Sequence, residues 1–335
     1  MTSYDRRGVA RLGLALAVCL SASRVQAVSE SQTTRVFESL YGAEALDANL
    51  GWRVGAFGVI SRTRDGGKTW QSLPSKTDEQ LFGVTFSDPK NGWVVGRGGL
   101  ILHTTDGGET WAAQKSGTTN HLFSVEALSA SEVWVVGDWG AILHTTDGGA
   151  TWKDRSLEED VILNSITWVD SKHGWIVGEI GAVYRTEDGG EQWTKMESGS
   201  EKSLFDVHFA DVNRGWAVGL DGLLMRTTDG GLTWEVLRGT PTVGSLEAMG
   251  FLEALKNAGL YAVDVQGDFG VAAGDLGVIL VTRDGGATWK EEDVPEEWRL
   301  RWIRGLSLAG GGGLLVGSGG LTVPISDRAL HYPGK

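Results

Sequence analysis

Hydrophobic and polar positions recur along this chain with a period of about 41 residues. In the stretch from Leu81, "LFGVTF" sets Phe82, Val84 and Phe86 at alternate positions, as in a strand with one buried face. A short apolar run bounded by glycines, "GWVVG", comes next, then a second alternating run, "LILHTT", and finally "TWAAQ" after the turn "DGG". The pattern predicts four short strands per unit. No helix-length periodic segment falls inside a standard unit, which argues against leucine-rich, ankyrin or tetratricopeptide arrays.

The turn sits in an octapeptide that occurs six times: TRDGGKTW at 63–70, TTDGGETW at 104–111, TTDGGATW at 145–152, TEDGGEQW at 186–193, TTDGGLTW at 227–234 and TRDGGATW at 282–289. Its aspartates, Asp65, Asp106, Asp147, Asp188, Asp229 and Asp284, stand at intervals of 41, 41, 41, 41 and 55 residues. Ten residues before each lies a glycine, and the same ruler finds a seventh unit, where Gly317 precedes Asp327 and Tyr332 replaces the tryptophan. Asp-Gly is a hairpin signal, because glycine supplies the positive φ that tight turns require. Four strands repeated radially make a β-propeller blade, so the sequence predicts an all-β, seven-bladed propeller. With "HYPGK" leaving little room for a fourth strand in the last unit, residues Val36 to Ser39 are expected to pair there, so that both termini build the last blade.

The segment [TS]-x-D-x-G-x-T-W resembles the Asp-box of sialidase-type propellers, with only Gln192 breaking the pattern. Combined with "GW-x-V-G" in a seven-fold array over residues 36–335, it resembles the photosystem II assembly and stability factor family. That resemblance implies a non-enzymatic scaffold that binds a membrane-protein subunit during assembly, with the boxes as structural hairpins at the blade periphery. In the photosynthetic relatives the implied binding surface is basic, a point on which this acidic chain departs. Six symmetric copies of one site also read better as scaffold than as a catalytic centre. Of 15 tryptophans, five belong to the "GW" strand (Trp52, Trp93, Trp134, Trp175, Trp216) and six end the boxes, which predicts packing between blades.

Composition narrows the function classes. With 50 glycines, 6 prolines and 41% hydrophobic residues the chain is a turn-rich globular β-protein, and the repeat makes one domain of residues 28–335. The formal charge of -13 argues against nucleic acid as a partner, and no zinc-ligand or phosphate-loop spacing occurs; no cofactor is expected. Residues 1–27 read as an export signal: Arg6, Arg7 and Arg11, an apolar stretch from Leu12 to Leu20, and "VQA" ending at Ala27. Its removal takes away four arginines and one aspartate and leaves a formal charge of about -16. The expected location is the periplasm, or the thylakoid lumen in a photosynthetic host. Cys19, the only cysteine, lies within the signal, and Val18 before it disfavours a lipid anchor.

Partner-binding residues are sought where the symmetry breaks. The connection after the second strand carries Arg97, Asp138 with Trp139, Glu179, Asp221 and Asp275 in successive units, an acidic arc suited to a basic segment or equally to solvated turns. The 55-residue interval holds "TPTVGSLEAMGFLEALKNAG", where Leu246, Met249, Leu252 and Leu255 suit one face of a short helix. The stretch "EEWRLRWIRG" interleaves Arg299, Arg301 and Arg304 with Trp298 and Trp302, as interface anchors do. Two alternatives stay open: a sialidase-like glycoside hydrolase, and a propeller binding an extracytoplasmic ligand or polymer. No arginine triad for a sialidase is evident, and His103 and His144 occupy equivalent strand positions where other units carry arginine.

Overall fold

A computed structural model describes residues 39–239 and 258–332. The export segment, and the insert with Met249 and Leu252, lie outside the described residues. Seven antiparallel sheets of four strands each succeed one another along the chain. Their innermost strands are Leu40–Ala45, Leu81–Phe86, Leu122–Ala127, Leu163–Trp168, Leu204–Phe209, Leu260–Gln266 and Ile303–Ala309. Each packs beside the next and the last beside the first, so the blades close into a seven-bladed propeller. In blade 2 the remaining strands are Gly92–Gly96, Ile101–Thr104 and Ala112–Gln114, as the periodicity predicts.

The alternation in the inner strands carries one correction. Leu81 pairs with Gly96 but Gly83 with Val95, a bulge that gives one strand an extra residue and reverses the phase of its side chains. Leu81, Val84 and Phe86 are therefore buried, and Phe82 turns toward the propeller axis. All seven inner strands shift register at this point.

Closure also differs from the expectation. The seventh blade is complete in itself, with strands Ile303–Ala309, Gly312–Gly317, Thr322–Ser326 and Ala329–Leu330. Asp327 and Arg328 both take positive φ (50° and 60°), which makes the turn tight enough for a fourth strand to fit before the chain ends. Ser39 accepts a hydrogen bond from the Ala56 amide of blade 1, not from the last blade, and residues 36–38 lie outside the described residues. The ring instead shuts by packing. Leu40, Ala43 and Ala45 form a core with Leu314 and Val316, while the Ala45 amide donates to Ser307 Oγ and Arg53 Nη1 to Thr322 Oγ1.

The hydrophobic core lies between blades. Trp52, Val54 and Ile60 of blade 1 pack with Leu81, Val84 and Phe86 of blade 2, and the Trp52 and Phe86 rings stack at 3.5 Å. The buried indoles also reach across. Trp52 Nε1 donates to Gly107 O, Trp175 Nε1 to Gly230 O and Trp216 Nε1 to Gly286 O, each on the box hairpin of the next blade.

Inside each box the buried hub is the opening threonine. Thr145 Oγ1 donates to Asp147 Oδ1 at 2.7 Å and accepts from the Gly149 amide at 2.9 Å, while Asp147 accepts from both the amide and hydroxyl of Thr151. Those hydrogen bonds, led by the Thr151 hydroxyl, lower the Asp147 pKa to about 2. The side-chain oxygens of Thr145, Asp147 and Thr151 thus brace their own hairpin, while box carbonyls such as Gly107 O accept from the neighbouring blade.

Candidate partner face and axial cavity

Antiparallel order puts the connections from second to third strand, and those from one blade to the next, on one face of the ring; the box hairpins occupy the other. On the first face every blade makes the same two-residue turn, and its apex residue is left-handed: Phe57 (φ 55°), Gly98 (67°), Trp139 (57°), Ile180 (53°), Asp221 (55°), Leu276 (55°) and Gly319 (62°). The glycine after the apex is obligatory. A Cβ on Gly58 would stand 1.9 Å from Thr77 O, and one on Gly181 1.8 Å from Ser200 O. The apex itself is suited to glycine or aspartate, as blades 2, 5 and 7 show.

Blades 1, 3, 4 and 6 nevertheless hold large apolar side chains there; Leu276 of blade 6 is half-buried, but the other three project into solvent. Phe57 is 71%, Trp139 61% and Ile180 74% exposed. A left-handed L-residue costs roughly 1–2 kcal/mol, and a β-branched one is an outlier. Neither burial nor the turn requires these residues, and strain of that kind collects at binding surfaces.

The acids around the apices are largely engaged. Glu179 Oε1 accepts from the Ile162 amide, Asp221 pairs at 2.9 Å with the buried Lys202, and Asp275 Oδ2 accepts from Tyr261 OH. Asp138 is half-buried, and Arg97 is exposed. Asp221 occupies the apex, one place later than the other acids. The arc is thus mainly turn architecture, with the apolar apices between its members.

The arginine-tryptophan stretch divides. Trp298 is buried against Tyr332, and Arg301 Nη1 donates to Ser318 O, bracing the last blade's turn. Arg299 lies exposed, apart from the axis. Arg304 stands at the channel mouth, its guanidinium over the Tyr261 and Trp302 rings at 4.6 and 5.3 Å.

That mouth belongs to a cavity of about 300 Å³ on the propeller axis, lined by the first halves of the inner strands and so on the side of the turn face. Because of the bulges, Tyr41, Phe82, Phe123, Phe205 and Tyr261 all point into it, with Asn164 and Arg304 completing the ring. Asp206 lines its wall, accepting from Ser165 Oγ and the Val263 amide. One pleat deeper come Glu44, Glu126, His208 and Asp264, with His208 Nδ1 3.4 Å from Asp264 Oδ1. Burial, then repulsion from Asp264 and Asp206, pushes Glu126 up to about 8; burial, then Glu126 and Asp264, raises Glu44; burial raises Asp206 to about 6. The sequence analysis missed this layer, although Glu44, Glu126 and His208 lie on the 41-residue ruler. The signal was the place in the repeat where polar residues replaced apolar ones inside a strand.

Comparison with known proteins settles the family. The family described as photosynthesis system II assembly factor YCF48 matches residues 25–115, 70–196 and 191–300. The chain belongs to the YCF48 family. Among solved structures, "YCF48 bound to D1 peptide" superposes with a TM-score of 0.69 at 23% identity, covering 87% of this chain and 94% of that one. YCF48 from Cyanidioschyzon merolae gives 0.68 at 20% identity, covering 88% and 97%. The fold is shared beyond the YCF48 family: the GH74 xyloglucanase from Xanthomonas campestris gives 0.68 at 13% identity, over 86% of this chain and 52% of its own. No curated protein sequence matches.

Proposed function

We propose that this YCF48-family protein is a non-enzymatic assembly or stability factor, exported from the cytoplasm, that holds a membrane-protein subunit on its turn face. The observation that carries the reading is the set of exposed apolar apices, Phe57, Trp139 and Ile180, kept in left-handed backbone at a cost to the fold. Family membership supports the role, as does a related structure's bound peptide, described as D1. Among the described residues no helix is long and apolar enough to cross a membrane. Export rests on the reading of residues 1–27.

A photo-crosslinking residue at Trp139, used in the native host, tests this. The expected adduct is a membrane protein, and an equivalent probe at Glu109 on the box face should give none. Adducts confined to soluble proteins, or release of sugar from a panel of glycans by the purified chain, would overturn the reading in favour of a soluble-ligand propeller or a hydrolase.

A further inference from the structure

We propose that the axial cavity is a receptor for an organic cation, the ammonium of a lysine or the guanidinium of an arginine presented by an extended peptide. The mouth offers aromatic faces on several sides: Tyr41 stacks on Trp302 at 5.6 Å, Phe82 lies 5.8 Å from Tyr41 and 5.4 Å from Phe123, and Phe205 lies 4.9 Å from Tyr261. Such faces attract cations, and a volume of about 300 Å³ matches the small end of ligand pockets, enough for a side chain.

Beneath them the charge is unbalanced. Glu44, Glu126, Asp206 and Asp264 approach the axis from four blades, against His208 within and Arg304 at the rim. No side-chain hydrogen bond or ion pair to Glu44 or Glu126 is found among the described residues, His208 Nε2 is buried without a hydrogen-bond partner, and Asp264 Oδ1 has only the His208 ring at 3.4 Å. Buried carboxyls left this way are costly, and a cation in the channel relieves them together. An inorganic ion fits poorly. The acids stand on different walls, and among the described residues no three His, Cys, Asp or Glu groups come close enough to hold a metal. A delocalised or long-stemmed cation spans that distance, with its alkyl stem against the aromatic wall.

The cavity opens on the face assigned to the partner, so the inference deepens that reading, but free peptides test it separately. Calorimetric titration of the full chain uses Gly/Ser hexapeptides carrying one central lysine, arginine or norleucine. The lysine and arginine peptides should bind at least tenfold tighter than the norleucine one. Glu126→Gln and Phe82→Leu should each weaken lysine binding about tenfold, with thermal melts confirming the fold, while Lys68→Ala, exposed on the opposite, box face, leaves it unchanged. Binding should strengthen from pH 6 to 8.5 and release protons near pH 7. Glu126, pushed up to about 8, and Asp206, raised to about 6, give up their protons toward the ligand as the pH rises, and burial raises Glu44 and Asp264 as well; His208, Arg304, Tyr41 and Tyr261 are the other groups facing them. Equal binding of the norleucine peptide, no binding of the lysine peptide at millimolar concentration, or calcium binding that lysine peptide does not displace would each overturn the proposal. Loss of partner capture by the turn-face variants with lysine binding intact separates failure of one reading from failure of the other.

Discussion

Thr145 shows how function and scaffold divide at the scale of single residues. Its hydroxyl is buried and holds both the Gly149 amide and the Asp147 carboxylate, so Thr145→Val strands a buried N–H and should cost about 1–3 kcal/mol. Thermal or urea unfolding checks the value, and partner capture at a permissive temperature should be unaffected. The octapeptide made this hairpin legible, including its tight Asp-Gly turn, because the chemistry is local. Which member is the buried hub was not legible, since that depends on the neighbouring blade lying over the threonine. The partners of the acidic arc were hidden for a similar reason. Asp221 and Asp275 look like free charge in the sequence, but Lys202 and the Tyr261 hydroxyl reach them in the fold.

At the scale of the strand, periodicity located the elements and the bulge decided where their side chains point. A single extra residue after Leu81 moved Phe82 from the core to the axis, and the same step in the other blades built an aromatic ring that alternation alone did not foretell. It also placed Glu126 in the channel. Its folded-state pKa of about 8 stands above the ordinary carboxylate value of 4.5, so the native chain holds this proton to higher pH than the unfolded one. Between those values unfolding releases a proton, and stability declines as pH rises. Glu126→Gln removes the titration. Its melting temperature should match that of the wild type near pH 4.5 and exceed it at pH 8.5; a variant that melts lower at pH 8.5 would mean that Glu126 stabilises the channel as a carboxylate.

At the scale of the whole molecule, seven similar blades form a ring whose core lies between them, and the exposed turns contribute little to that core. Side chains at the apices are therefore open to selection for something other than stability. Blades 2 and 7 place glycine there and blade 5 aspartate, whereas Ile180 and Trp139 stand side by side on adjacent blades. Ring number and blade order were readable from spacing, but closure was not, because the last hairpin abandons the Asp-box for the Asp327–Arg328 turn. The most direct measurement pairs a melt with a capture assay on Ile180→Gly, alone and combined with Phe57→Ser and Trp139→Ser. Relief of left-handed strain, less the extra chain entropy of glycine, should leave Ile180→Gly more stable by about 0.5–1 kcal/mol, while the triple variant loses the co-purifying membrane protein. Undiminished capture by a folded triple variant would contradict the account and move the partner site away from the turn face.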